Sequence, residues 1–303
     1  MAEIEIVFLG TTAGIPTRER AHPAIHIAFR GEKEFCFLFD CGEGTQRQML
    51  IANLNLMKIQ YIFITHWHGD HFLGLPGLVD SMSFEGRTKP LKIFAPEVKK
   101  LKKILDFNGI ERSFEVIMRE VPVEENRIQD LVENEEFKIV STPVKHGLPS
   151  VAYGLVEKEK FRIDKEKAKK LGLPVQGKIY AELKEKGEVV FEGKKITIEE
   201  VCMVTKGKKV VYSGDTKICQ NLLNLARDAD LLIQDCTYFD NGEFDDYEHA
   251  SIKEIIDAAD EIKAKKVILT HISRRYRDTE RLKEKIRAYP NWQIAEDFMR
   301  VKI

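Results

Sequence analysis

The sequence predicts an α/β chain built in layers, and two observations carry that reading. Short apolar runs rich in β-branched and aromatic residues recur at 4–9, 35–39, 59–64, 137–140, 210–212, 231–233 and 267–269. Several have no polar face, as expected of strands covered on both sides. Between them, residues 46–54, 73–83, 98–105, 252–262 and 279–288 place apolar side chains at helical spacing, the alternation that layered α/β folds require. Ser251 with Glu254, and Thr45 with Gln48, stand at capping-box spacing, so helices are expected to begin there.

Composition bounds the rest. Among 303 residues, 48 basic and 49 acidic side chains cancel to a net charge of −1, which excludes a polybasic rod or an acidic disordered tail. A 43% hydrophobic content supports a sizeable core. No apolar run approaches the roughly 18 residues of a membrane helix, and MAEIEIVFLG has no basic segment ahead of an apolar core. The expectation is a cytoplasmic protein with no membrane partner. Cys36, Cys41, Cys202, Cys219 and Cys236 lack C-x-x-C spacing and read as small buried hydrophobes rather than a disulfide frame or thiolate site.

The most informative segment is Thr65-His66-Trp67-His68-Gly69-Asp70-His71, which directly follows a strand-like run. Three imidazoles and a carboxylate packed so closely make a poor core, but in a loop leaving a strand end they can converge on metal. Further ligands are expected at other strand ends. His146 follows the run at 137–144, Asp215 follows 209–212 within YSGDT, and His271 follows 266–269. Gly214 allows the tight turn and close backbone approach that such a site needs. Each residue alone is only a polar group at a strand end; together they complete two coordination sets.

H-x-H-x-D-H at 66–71, a distant His, an Asp in SGDT and a final strand-end His resemble the metallo-β-lactamase superfamily over nearly the whole chain. Within it, FLGTTAGIPTRERAHPA (8–24), FDCGEGTQRQ (39–48) and GDHFLGLPGL (69–78) are most similar to the ribonuclease Z branch, the tRNA 3′-processing endonucleases. The resemblance implies one metallo-β-lactamase-fold domain over 1–303, two β-sheets sandwiched between helices (αββα), with a flexible tRNA-binding arm inserted at about 158–195. It implies that His66, His68 and His146 hold one zinc, that Asp70, His71 and His271 hold the other, and that Asp215 bridges both. Asp70 would also accept the proton of the attacking water. Glu248 and His249, in EHAS, would be the family's catalytic pair, with His249 acting on the scissile phosphate and the departing 3′ oxygen. The imidazole-rich set suits zinc, with Mn2+ as the alternative where Asp70 and Asp215 supply oxygen. Asp40, ending FLFD, is read as a carboxylate that orients a ligand imidazole. His26, alternating with Ala24 and Ala28, is read as a packed or surface histidine.

Residues 158–178 contain eight basic and three acidic side chains. Such a run is commonly just a solvated helix face. Its position between His146 and Asp215 matches the family's arm, and Lys165, Lys167, Lys169, Lys170 and Lys178 are taken as the groups that would grip tRNA phosphates. The family also implies a homodimer. Two departures are visible: the arm reads GLPVQGKIY where relatives often carry Gly-Pro, and the loop PTRERA has Arg18 and Ala21 where Lys and Asn are common. A small-molecule ester hydrolase of the same fold would use the same ligands; the insertion and FDCGEGTQRQ speak against it.

Overall fold

A computed structural model describes residues 1–303 except 107–110, 175, 240–247 and 277. It divides into two compact units, residues 2–156 with 209–303, and residues 157–208.

The larger unit holds two seven-stranded sheets. Across the first, the strands run Arg300–Lys302, Glu3–Gly10, Ala24–Arg30, Glu34–Phe39, Ile59–Phe63, Leu91–Ala95 and Val116–Glu120. Across the second they run Trp292–Ile294, Val267–Thr270, Leu231–Asp235, Lys209–Tyr212, Val151–Glu157, Phe137–Pro143 and Gln129–Glu133. Strand Glu3–Gly10 shows why the layers form. Ile4, Ile6 and Phe8 enter a core shared with Phe137, Tyr153 and Ile233 of the other sheet. The alternate residues Val7 and Leu9 pack with Met49, Leu75 and Leu78 from the outer helices. Because side chains alternate across a strand, the unbroken apolar stretch 6–9 buries both faces. Val211, Leu232 and Leu269 do the same on the second sheet, against Leu222, Ile255 and Leu282. The result is the expected αββα sandwich.

Helix punctuation came out differently at two places. The Ser251–Glu254 capping box is present at Ile252–Asp257. The Thr45–Gln48 box is not: Gly44, at φ +83°, is the N-cap, and the Thr45 hydroxyl donates to the Gly42 carbonyl. Gln48 is drawn off to Leu9 O and to Asp297. Strands Leu91–Ala95, Val116–Glu120 and Gln129–Glu133 were missed because charged residues interrupt their apolar pattern.

The smaller unit runs to Lys208, beyond the expected end near 195. The reason is pairing: Cys202–Thr205 returns antiparallel to Lys160–Ile163. Ala168, Leu173, Tyr180, Leu183, Ile196 and Val201 give it a core of its own. Asp164 caps helix Lys165–Lys170 by accepting from the amides of Glu166 and Lys167. Lys165, Lys167, Lys169, Lys170 and Lys178 are all exposed. Four of the five cysteines are buried and Cys219 is half-buried, and among the described residues no helix is long and apolar enough to cross a membrane.

Candidate metal centre and active site

Strands Lys209–Tyr212, Leu231–Asp235 and Val267–Thr270 are parallel neighbours, so their C-terminal ends lie at one edge and bring Asp215, Asp235 and His271 together. The segment carrying His66 to His71 leaves Ile59–Phe63 in the other sheet and ends in the short helix Gly69–Phe72, which holds Asp70 and His71. Two bonds join the sheets below it: Tyr153 Oη donates to Ile64 O at 2.7 Å, and Val151 N to Thr65 O at 3.1 Å. Gly214, at φ +59°, lets the Asp215 loop close against Thr65, since a Cβ there would lie 2.9 Å from the Thr65 side chain.

Seven residues predicted as ligands converge in two sets that share Asp215. In the first, His66 Nε2 and His68 Nδ1 are 3.0 Å apart, His68 Nδ1 and His146 Nε2 3.1 Å, and His66 Nε2 and Asp215 Oδ2 3.5 Å. In the second, His71 Nε2 lies 3.4 Å from His271 Nε2, 3.6 Å from Asp70 Oδ2 and 3.1 Å from Asp215 Oδ2. His271 Nε2 completes it at 3.5 Å from Asp70 and 3.3 Å from Asp215. A tetrahedron with donor arms of about 2.0–2.1 Å has edges of about 3.3–3.4 Å. The measured separations lie near those edges: the donors of His66, His68, His146 and Asp215 and those of Asp70, His71 and His271 each lie close enough together to hold a cation, with Asp215 Oδ2 beside the second group as well.

Three outward nitrogens have the kind of partner that ligating imidazoles commonly take, whereas the Nδ1 of His146 is buried without one. His71 Nδ1 meets Asp40 Oδ2 at 2.7 Å, His66 Nδ1 meets Thr65 Oγ1 at 3.0 Å, and His271 Nδ1 meets Thr237 Oγ1 at 2.8 Å. Asp40, at φ +55°, also accepts from Thr65 N and Tyr212 Oη. The Oδ1 of Asp215 is buried without a hydrogen-bond partner, which a neutral protein interior does not favour.

The charges tell the same story. Burial opposes ionisation of Asp70 and Asp215, yet neighbouring imidazoles hold both carboxyls below the usual range. Burial likewise opposes protonation of His271, but Asp215, Asp235 and Asp70 outweigh it and push the imidazole up to about 10. Burial and the proximity of His71 drive His66 the other way. Anionic oxygens thus draw positive charge into a buried cluster, and a divalent cation answers that demand better than protons on two imidazoles.

His249 stands beside the first set, its ring 5.0 Å from that of His146 and its Nδ1 4.0 Å from Asp215 Oδ2, and with Asp215, Asp235 and His271 it forms a further group of close donors. Glu248, expected as its partner, turns away: at φ +53° it aims its carboxylate at Lys145, 3.5 Å distant. The carboxylate on His249 is Asp235, whose Oδ2 lies 2.9 Å from Nδ1. Asp235 is fully buried and was missed. Its signal was an acid closing the apolar run LLIQD, the strand-end placement that identified Asp215 and His271. A cavity of about 720 Å³ opens over the cluster, with His22, Arg274 and Arg275 in its wall.

Fold and site together define a metal-dependent hydrolase of the metallo-β-lactamase fold. The beta-lactamase superfamily domain model matches residues 196–272, and the model of the anti-Pycsar protein Apyc1 matches residues 4–171. Ribonuclease Z of Methanothermobacter thermautotrophicus is 38% identical over 316 residues, covering 99% of this chain and 97% of its own length. That of Bacillus licheniformis is 36% identical over 306, covering 97% of each. The crystal structure of human tRNase Z, short form, aligns with a TM-score of 0.68 at 27% identity over 98% of both chains. The chain belongs to the ribonuclease Z family of hydrolytic endoribonucleases.

Proposed function

We propose that this protein is a zinc-dependent endoribonuclease that removes the 3′ trailer of precursor tRNA, leaving a 3′-hydroxyl on the tRNA and a 5′-phosphate on the trailer. The observation that carries the reading is the pair of His/Asp donor clusters with Asp215 Oδ2 close to both, and His249 beside them on Asp235. His66, His68 and His146 would hold one ion, Asp70, His71 and His271 the other, and Asp215 both. Nitrogen-rich donors favour zinc, with manganese as the alternative. When bound, such ions activate water and accept charge from a phosphodiester oxygen.

Within this frame the chain's own groups have distinct tasks. Asp70 accepts the proton of the attacking water. Asp235 anchors His249 through Nδ1, which leaves Nε2 toward the cavity to meet the scissile phosphate and protonate the departing 3′ oxygen. The exposed lysines at 165, 167, 169, 170 and 178 suit phosphate contacts that depend on salt and little on sequence. The functional form in this reading is a cytoplasmic homodimer, in which the arm of one subunit, residues 158–195 in the sequence reading, presents tRNA to the centre of the other.

The test is incubation of zinc-loaded protein with a 3′-extended precursor tRNA, with and without chelator, and mapping of both new ends. A chelator-sensitive cut near the discriminator base or after CCA, with a 3′-hydroxyl and a 5′-phosphate, supports the assignment. Hydrolysis of small esters without RNA cleavage refutes it.

A further inference from the structure

Asp70 is held from outside the metal motif. The donor to its Oδ2 is the backbone amide of Gly14, at 2.8 Å; the imidazoles of His271 and His71 stand farther off, at 3.5 and 3.6 Å. Gly14 has φ +62°, and Ile15 N donates to Ala13 O across it at 2.6 Å. This is a γ-turn, a tight conformation, and it directs the Gly14 N–H outward. A single amide can hold a carboxylate only if the loop bearing it is itself fixed.

That loop, residues 11–21, is closed at its neck. Thr11 N and Thr12 N both donate to Ala21 O, at 3.0 and 3.1 Å. One side chain from the far end of the chain ties the two ends: Asp297 Oδ1 accepts from Thr11 Oγ1 at 2.7 Å, and Oδ2 accepts from Ala21 N at 2.7 Å. Gln48 Nε2 joins Oδ2 at 3.0 Å. Arg20 reinforces the neck by donating to Thr11 Oγ1 and Ala295 O. On the opposite side, Thr12 and Ala13 pair with Ile272 and Ser273, immediately after His271. The loop is therefore suspended between the strand end that carries His271 and the Asp297 clip, with Gly14 meeting Asp70 between them.

We propose that Asp297 is a positioning residue for Asp70, acting through the loop 11–21 and the Gly14 amide. The inference rests on the reading of Asp70 as a ligand and proton acceptor. Asp297 makes no contact with the cluster in this arrangement; it sets where the Gly14 N–H points, and so how the Asp70 carboxylate is presented. Outer hydrogen-bond partners of ligating carboxylates commonly act in this way.

Two variants test the proposal. Asp297→Ala removes the clip; Thr11→Val removes only the hydroxyl that joins the clip to the neck, and decides the matter if Asp297→Ala fails to fold. In metal-free protein, deuterium exchange at the Gly14 amide is expected to quicken by about tenfold or more, while amides of strand Leu231–Asp235 keep their protection. In competition with a chromogenic chelator, the weaker zinc-binding step is expected to lose about tenfold in affinity, and kcat for bis(p-nitrophenyl) phosphate to fall by a similar factor while KM stays near the wild-type value. Unchanged Gly14 exchange in a folded variant, or faster exchange with wild-type zinc affinity and kcat, would overturn the proposal. A wild-type protein that binds zinc yet cuts no precursor tRNA would refute the assigned function and leave the exchange and zinc-affinity readouts intact as the test of Asp297.

Discussion

The Nδ1 of His249 lies 2.9 Å from Oδ2 of Asp235, so the imidazole beside the metal cluster is oriented by a buried carboxylate. The same Oδ2 accepts from Thr216 N, while Oδ1 accepts from the amide and hydroxyl of Thr237. That hydroxyl also meets His271 Nδ1. One carboxylate thus orients the proposed proton donor directly and a ligand imidazole through one hydroxyl.

Asp235→Asn replaces an acceptor with an N–H that must face a donor on one side. Single-turnover cleavage of precursor tRNA is expected to slow by about 10–100-fold, the range seen when such supporting groups are lost. Glu248→Gln weakens the contact with Lys145, and its rate is expected to stay within about threefold of wild type, as partly exposed ion pairs contribute little. Rapid-quench measurements on both variants check this; the reverse order of effects would restore Glu248 as the partner.

Asp215 lies in both donor sets, so Asp215→Ala is expected to remove bound metal and cleavage together. Elemental analysis of the purified variant, beside its cleavage rate, decides. Full metal content in an inactive variant would show that Asp215 is not the shared ligand.

Replacing Lys165, Lys167, Lys169, Lys170 and Lys178 with Gln removes five exposed charges while leaving the Ala168–Leu173–Tyr180 core of that unit in place. Precursor tRNA should bind more weakly, with a shallower dependence of log K on log salt concentration, because fewer counterions are released. Hydrolysis of bis(p-nitrophenyl) phosphate should be unaffected. A salt slope identical to wild type would remove these lysines from the RNA contact.

His26 gives a pH signature away from the metal site. It is buried, its Nδ1 has no hydrogen-bond partner, and desolvation lowers its pKa from 6.5 to about 4, with Glu5 and Glu34 opposing and Arg30 and Arg300 assisting. The folded value lies below the unfolded one, so the unfolded chain binds the proton first as pH falls. Its contribution to stability is intact above pH 6.5 and declines between 6.5 and about 4. Over that window it amounts to about 3 kcal/mol. Urea unfolding of wild type and His26→Phe at several pH values should show a shallower acid limb in the variant; parallel limbs would contradict the assignment.

Both layers of the sandwich, and the seven His and Asp residues that the fold brings together, were legible because they leave local marks. Continuous apolar runs such as VILT and LLI betray strands buried on two faces, and H-x-H-x-D-H concentrates too much polarity in one loop to be core. Asp235 escaped because a lone acid after an apolar run carries little information until its neighbours are known. Glu248 was paired with His249 through the family's motif, whereas its left-handed φ places its carboxylate near Lys145. Thr45 and Gln48 had the right spacing for a cap, and long-range acceptors at Leu9 and Asp297 claimed Gln48 instead.

By itself, then, the sequence determined the layered fold, the clustering of His and Asp residues at strand ends and the basic character of the inserted unit, since each depends on residue type at short, fixed spacing. Only the tertiary structure decided which carboxylate supports His249, where the inserted unit ends, and which group fixes the loop over Asp70. Those outcomes depend on hydrogen bonds between residues far apart in the chain, 286 positions in the case of Thr11 and Asp297, and no local pattern encodes which distant donor a buried carboxylate will meet.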